Sequence, residues 1–248
     1  MELKFNIPDY FSIKDWKYFN SLELDNDNDK MINFLSYISD IGEDKILELT
    51  PVTLRQTYLA VLQTIGDAQA SFYPIIEIDG QLYGYSSMSK MTLGEYIDLE
   101  RLAKNPTKNL EEIMAILYRP IKKHSFTGVT WAFKNKYKTG TGNVENLFKY
   151  YTLEKYDFNK SAERIELMNT LPVSFALGAM GFFLVQANIS LLSTQVYSIP
   201  NLSKQEMKEM ISKVKASVSM PIGDGLLQFI TSQKLPSLQS QVTQPLLT

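Results

Sequence analysis

The stretch LPVSFALGAMGFFLVQANISLL, Leu171–Leu192, decides what kind of fold this chain adopts. No charged residue occurs between Glu166 and Lys204, and about 20 apolar residues are enough for a helix to cross the hydrocarbon of a bilayer. A helix that is apolar on all sides is either a membrane span or the central helix of a core or an assembly. The stretch therefore predicts one long apolar helix over about residues 172–195.

Two features of this stretch favour a packed helix over a membrane helix. Gly178 and Gly181 let another backbone approach closely. Polar side chains such as Gln186 are unfavourable in a single membrane-spanning helix. No cluster of lysine or arginine flanks either end, so the usual cytoplasmic anchor is missing. We expect a buried or assembly-interface helix, with membrane contact as the alternative. The candidate interface residues are Gly178, Gly181, Phe182 and Phe183.

Composition narrows the function classes. The chain has 248 residues, of which 44% are apolar, and this is ample for a packed core. A net charge of -2 gives no global attraction for nucleic acid or anionic lipid. The absence of cysteine excludes disulfides and thiolate sites, and the single histidine, His124, excludes histidine-rich metal sites. We therefore expect no enzyme, no cofactor and no metal.

The spacing of apolar residues in the rest of the chain is typical of short amphipathic helices, except in one segment where apolar and polar residues alternate as in a strand. The segment YPIIEIDGQLYGY alternates around Asp79 and Gly80, the pair that a two-residue hairpin turn prefers. Downstream, Thr92 and Glu95 have the spacing of a helix capping box. The predicted fold class is mainly α, a helical bundle with one small β-hairpin at about 74–85.

One domain is expected over residues 1–230. An extended polar tail is expected over residues 231–248, because that segment is low in charge and contains Pro236 and Pro245. The N-terminus lacks an apolar core of signal-peptide length, so no export signal is expected.

A basic loop is predicted at about 119–144. Residues 113–144 contain six lysines and arginines and no acid, with interleaved aromatic residues. A single-stranded nucleic-acid groove uses the same mixture, but so does a loop that docks onto a protein. The interpretation favours a solvated or partner-facing loop, and nucleic-acid binding through 119–138 is the weaker alternative. The candidate residues are Arg119, Lys122, Lys123, Trp131, Lys134, Lys136 and Lys138.

Four segments, taken in order, carry a resemblance to a known family. They are IPDYFSIKDWKYF, IDGQLYGYSSMSKMTLGEYIDLERL, NLEEIMAILYRPI and LPVSFALGAMGFFL. The chain up to about Leu192 resembles a family of small proteins encoded among the morphogenesis genes of tailed bacteriophages, especially phages of Bacteroidetes hosts. The shared order is a helical start, a hairpin, a T-x-G-E-Y-x-D-L helix, an L-Y-R-P stop and the apolar helix.

The resemblance implies a non-enzymatic morphogenesis protein, either a tail or virion assembly factor or a minor virion component. It implies contacts with other phage structural or tail proteins, or with further copies of the chain. It places the chain in the host cytoplasm during assembly, or in the virion. The alternative is a packaged protein that is delivered to the host and contacts its membrane through 171–192. No catalytic residue is carried over.

Overall fold

The computed structural model describes residues 5, 8–22, 27–66, 72–125, 148–197 and 203–217. Within these residues the chain forms ten α-helices, one short 3-10 helix and a four-stranded sheet. The helices are α1 (Ile13–Ser21), α2 (Asp27–Ser39), α3 (Glu43–Leu47), α4 (Pro51–Gly66), α5 (Leu93–Leu102), α6 (Leu110–Leu117), α7 (Phe158–Glu163), α8 (Ile165–Asn169), α9 (Val173–Tyr197) and α10 (Lys204–Ser217). The strands are β1 (Ile75–Ile78), β2 (Gln81–Tyr85), β3 (Tyr118–His124) and β4 (Tyr151–Leu153), and the 3-10 turn is Met88–Lys90.

The predicted fold class was wrong, because the structure is mixed α/β. The hairpin of β1 and β2 does form, and both turn residues, Asp79 and Gly80, have the positive φ that such a turn needs. However, β3 pairs with β2 and β4 pairs with β3, so the hairpin is half of an antiparallel sheet in the order β1-β2-β3-β4.

Strand β3 was not predicted because its sequence lacks the pattern that is typical of a strand. It follows α6 without a loop, contains Pro120 and carries several basic residues, and proline is rare inside sheets. Pro120 has no N–H to donate to the sheet, although its carbonyl accepts a hydrogen bond from the Glu154 amide at 2.9 Å. Residues 119–124 are therefore strand rather than part of a basic loop. Residues 126–147 and the predicted tail at 231–248 lie outside the described residues.

Helix α6 lies at the centre of the core. Its side chains from Ile113 to Leu117 are all nearly inaccessible to solvent, and it contacts α5, α7, α8 and α9. Tyr118, the first residue of β3, is also fully buried. The core thus continues directly from α6 into the sheet, which fixes the position of every residue in β3.

Helix α9 is the apolar helix, and it is a core element for most of its length. The window Val173–Ser190 is long and apolar enough to cross a membrane, but 61% of it is buried inside the protein. Gly178 and Gly181 are buried, and Phe183 is fully inaccessible. Phe182 stacks on Phe72 with 4.1 Å between the ring centroids. These four candidate interface residues therefore pack within their own chain.

The N-terminal segment fixes the start of α9. The Ile13 amide donates to the Leu171 carbonyl at 2.9 Å, and the Val173 amide donates to the Phe11 carbonyl at 2.8 Å. These bonds flank a β-bridge between Ser12 and Pro172. The entry of α9 into the core is thus fixed by backbone bonds as well as by apolar packing.

Candidate functional site

The N-terminus of α5 forms one side of the candidate site. The Glu95 amide donates to Thr92 Oγ1 at 3.3 Å, and the Thr92 amide donates to Glu95 Oε2 at 2.7 Å. This is the capping box that the sequence predicts, and it satisfies otherwise unpaired donors at the helix end. One carboxylate oxygen of Glu95 is thereby engaged with the backbone.

The other oxygen of Glu95 meets Arg119 from β3. Glu95 Oε1 lies 2.7 Å from Arg119 Nη2, and both side chains are buried. Ser86 Oγ accepts from the same Nη2 at 2.8 Å and donates to Glu95 Oε1 at 3.3 Å. The T-x-G-E and L-Y-R-P segments therefore contact each other through a buried ion pair.

A second carboxylate, Glu154, lies just after β4 and is surrounded by cations. Its oxygens lie 3.1 Å from Lys122 Nζ, 3.3 Å from Arg164 Nη1 and 3.7 Å from Lys160 Nζ. Burial raises the pKa of Glu154, but its hydrogen bond with Lys122 and the charges of Lys160 and Arg164 outweigh this and leave the pKa below its ordinary value. Glu154 is thus held as a carboxylate.

Arg119 connects the Glu95 carboxylate to the backbone at Glu154. Its Nη1 donates to the Glu154 main-chain carbonyl at 2.9 Å while its Nη2 faces Glu95. Burial lowers the pKa of Arg119, and the charges of Glu95 and Glu154 oppose that shift. Because a buried cation is stable only with partners, the position of Arg119 depends on the Glu95 carboxylate and on the main-chain carbonyl of Glu154.

A cavity of about 520 Å³ opens beside this network. We call it the β4 cavity. Ser87, Lys90 and Thr92 line it, together with residues 151–156 of β4 and the chain that follows it. Its remaining lining residues are Tyr85, Ser86, Glu95, Arg119 and Phe148.

Buried aromatic rings give the β4 cavity an apolar part. The rings of Tyr85 and Phe148 stack with 5.9 Å between centroids, and the Tyr151 hydroxyl donates to the Tyr85 carbonyl at 2.9 Å. Burial raises the pKa of Tyr85 and of Tyr151, so both hydroxyls stay protonated over the ordinary pH range. The cavity therefore combines an apolar surface with hydroxyl groups and fixed charges.

The described part of the predicted basic cluster does not form one free cationic surface. Arg119 is buried in its ion pair and Lys122 pairs with Glu154, while Lys123 is exposed. Trp131, Lys134, Lys136 and Lys138 lie outside the described residues. The partners Glu95 and Glu154 come from distant parts of the sequence, so a local count of charge could not find them.

The carboxylates of the site are occupied by structural bonds. Glu95 serves the α5 cap, Ser86 and Arg119, and Glu154 serves three cations. Over the described part of the chain, no group of three or more His, Asp or Glu side chains is placed to hold a metal ion. Both carboxylates are therefore held in place by bonds within the chain.

An apolar stripe lies on the exposed face of α5. Leu93 is 65% exposed and Ile97 is 49% exposed, and their four-residue spacing puts them on one face. Arg101 lies one turn further, with its guanidinium 5.7 Å from the ring of the exposed Phe158. Gly94 is also exposed, and a Cβ added there would meet nothing. We call Leu93, Gly94, Ile97 and Phe158 the α5 stripe.

No protein-family model, no curated protein and no solved structure matches this chain.

Proposed function

We propose that this chain is a non-enzymatic bacteriophage morphogenesis protein that acts through contacts with other phage proteins. It serves as a tail or virion assembly factor or as a minor structural component. The proposal starts from the ordered segments that resemble the phage family. It gains support from the contact between Glu95 and Arg119, because two of those segments form one structural unit in the fold.

The α5 stripe is the observation that carries the proposal. Single exposed apolar side chains are ordinary, whereas apolar side chains grouped on one surface are typical of interaction sites. Leu93 and Ile97 lie on the helix that contains the T-x-G-E-Y-x-D-L segment, and Gly94 leaves room there for the close approach of another chain. A partner that covers this stripe removes apolar surface from water, which favours binding.

The described structure gives less support to the two alternatives. Membrane contact through 171–192 would require α9 to leave the core, where Phe183 is fully buried and Phe182 stacks on Phe72. Nucleic-acid binding through 119–138 would use Arg119 and Lys122, whose charges are paired with Glu95 and Glu154. Contact with a protein requires neither that α9 leave the core nor that Arg119 and Lys122 lose their partners.

Gene neighbourhood and particle composition test the proposal. We expect the gene to lie among phage structural genes, and we expect mass spectrometry to find the protein either in purified particles or only in infected cells. Abundance in particles identifies a virion component, and restriction to infected cells identifies an assembly factor. A genome context without phage genes overturns both.

A further inference from the structure

Strand β4 has an open edge in the described part of the sheet. In the sheet order β1-β2-β3-β4 it is the last strand, and within the described residues it pairs with β3 alone. The Ser125 amide donates to the Tyr150 carbonyl at 3.0 Å, and the Glu154 amide donates to the Pro120 carbonyl at 2.9 Å. Residues 150 and 154 therefore direct their backbone groups toward β3.

The backbone groups between these two bonds follow by alternation. In an antiparallel pair, successive residues point their N–H and C=O groups to opposite sides of the strand. Since residues 150 and 154 point toward β3, Tyr151 and Leu153 point their N–H and C=O groups away from it. Such an edge is a template for another extended chain.

The side chains of β4 hold this edge in a fixed position. Tyr151 and Leu153 lie over Gly84 of β2, so closely that a Cβ on Gly84 would come within 2.6 Å of the Tyr151 ring and 2.8 Å of a Leu153 methyl. The Tyr151 hydroxyl also bonds to β2 through the Tyr85 carbonyl. The strand is therefore anchored by its side chains, independently of its outer backbone groups.

The β4 cavity adjoins β4. Residues 151–156 line it, together with Ser87, Lys90 and Thr92. An extended chain that enters this cavity beside β4 would thus meet both the strand and hydroxyl-bearing side chains. An extended polypeptide can pair with the backbone of β4, because it supplies N–H and C=O groups at strand spacing.

The charge of the cavity favours an acidic occupant. Its lining contains three cations, Lys90, Arg119 and Lys155, and two carboxylates, Glu95 and Glu154. Arg119 is paired with Glu95, and Glu154 is paired with cations from outside the lining. The surplus positive charge therefore comes from Lys155 and from Lys90, which donates to the neutral Phe148 carbonyl. Lys155 is exposed beside the cavity. An occupant with carboxylates along its length therefore complements the surplus positive charge.

The acidic run at residues 23–29 does not supply such an occupant, because residues 27–29 belong to α2. The two longest segments outside the described residues do not have the required charge. Residues 126–147 carry Lys134, Lys136 and Lys138 against a single acid, Glu145. Residues 218–248 carry one acid and one lysine. Neither segment supplies an acidic strand, which points to a segment of another protein.

We propose that the β4 cavity binds an extended acidic segment of a partner protein, which adds to the sheet as a strand beside β4. This inference rests on the proposed function and names the chemistry of the partner. Main-chain hydrogen bonds to Tyr151 and Leu153 supply affinity, and the cations of the cavity select acidic side chains.

Binding of synthetic peptides to the full chain tests the proposal. The probe is a fluorescein-labelled, acetylated heptapeptide, Glu-Val-Glu-Thr-Glu-Val-Glu, followed by fluorescence anisotropy. One comparison peptide replaces every glutamate by lysine, and a second carries methyl groups on alternate backbone nitrogens. We expect the acidic peptide to bind about tenfold or more tightly than either. Lys155→Glu should weaken its binding, whereas Lys14→Glu, an exposed charge on α1, should not.

Hydrogen exchange gives the position of the added strand. On binding of the acidic peptide, the amides of Tyr151 and Leu153 should exchange more slowly, while the amide of Glu154, which already donates to Pro120, should change little. Absence of binding at about 1 mM peptide, equal binding of the lysine peptide, or protection away from β4 overturns the inference. If the chain forms a dimer that the peptide dissociates, a second copy of the chain occupies the β4 edge, and this result would also overturn the inference.

The two proposals fail separately. If the acidic peptide does not bind but the chain still associates with a virion protein, the strand-addition inference is wrong and the proposed function stands. If the peptide binds but the gene lies outside any phage genome, the cavity is a peptide site in a protein of another function.

Discussion

Glu95 Oε1 and Arg119 Nη2 are 2.7 Å apart, and the two side chains are buried from solvent. This pair connects the first turn of α5 to β3 and borders the β4 cavity. A buried ion pair is not in itself evidence of high stability, but the loss of one partner leaves a buried charge without compensation. The pair therefore determines how α5 sits on the sheet.

The first prediction concerns this pair. Glu95→Gln retains a side-chain oxygen for the Thr92 cap but leaves Arg119 without its carboxylate, so the free energy of unfolding should fall by about 3–5 kcal/mol. Urea unfolding measures the change. The matched control is Glu209→Gln, at the exposed hydrogen bond between Gln205 and Glu209 on α10, where less than about 1 kcal/mol is expected. Equal losses for the two variants would contradict a structural role for Glu95.

The second prediction compares two glycines. Gly84→Ala places a Cβ against the ring of Tyr151 and the side chain of Leu153, so overpacking should lower stability by about 1–3 kcal/mol. Gly94→Ala meets nothing and should raise stability by about 0.5–1 kcal/mol, because alanine favours the helix. Thermal unfolding checks both. A neutral Gly84→Ala would show that β4 does not lie over β2 as described.

The third prediction concerns pH. The pKa of Glu154 in the folded chain lies below its ordinary value of 4.5, so its ionised form stabilises the fold above that pH. The contribution is lost as the pH falls below about 4.5 and through the folded-state pKa. Stability of the wild type should therefore fall more steeply between pH 6 and pH 3 than that of Glu154→Gln. If the free energy of unfolding falls equally with pH for the wild type and for Glu154→Gln, Glu154 does not contribute to the loss of stability in acid.

The local parts of this fold can be read from the sequence, and the non-local parts cannot. The Asp79-Gly80 turn and the Thr92–Glu95 cap depend on residues within one turn of the chain, and both form. The addition of β3 and β4 depends on pairing between distant segments, one with a proline and one of three residues. Short or irregular strands carry too weak a pattern to predict.

The candidate site shows the same division. Glu95 is visible in the sequence as a cap, yet its partner Arg119 looks like one of a run of basic residues. Their pairing follows only from the direct passage of α6 into β3. The open edge of β4 depends on the order of strands, which no local pattern contains.

The fourth prediction concerns α9. Gly178 is buried, so Gly178→Leu should overpack its surroundings and lower stability by about 1–3 kcal/mol in detergent-free urea unfolding. In a bilayer the same change would be tolerated or would favour insertion. A wild type that needs detergent to stay monodisperse, together with an unharmed leucine variant, would place α9 in a membrane.

The fifth prediction concerns the α5 stripe. Ile97→Asp changes a half-exposed side chain, so the free energy of unfolding should stay within about 0.5 kcal/mol of the wild type. Contact with a partner that covers the stripe should be lost, because a carboxylate would be buried against apolar surface. Leu59→Asp, an equally exposed position on α4, is the matched control and should retain the contact.

Cross-linking mass spectrometry of the tagged chain in infected cells shows whether the chain contacts phage structural proteins through the α5 stripe. We expect cross-links from the tagged chain to phage tail or virion proteins, lost in Ile97→Asp and kept in Leu59→Asp while all three chains remain folded. Recovery of the wild type without any cross-link to a phage structural protein would contradict that expectation.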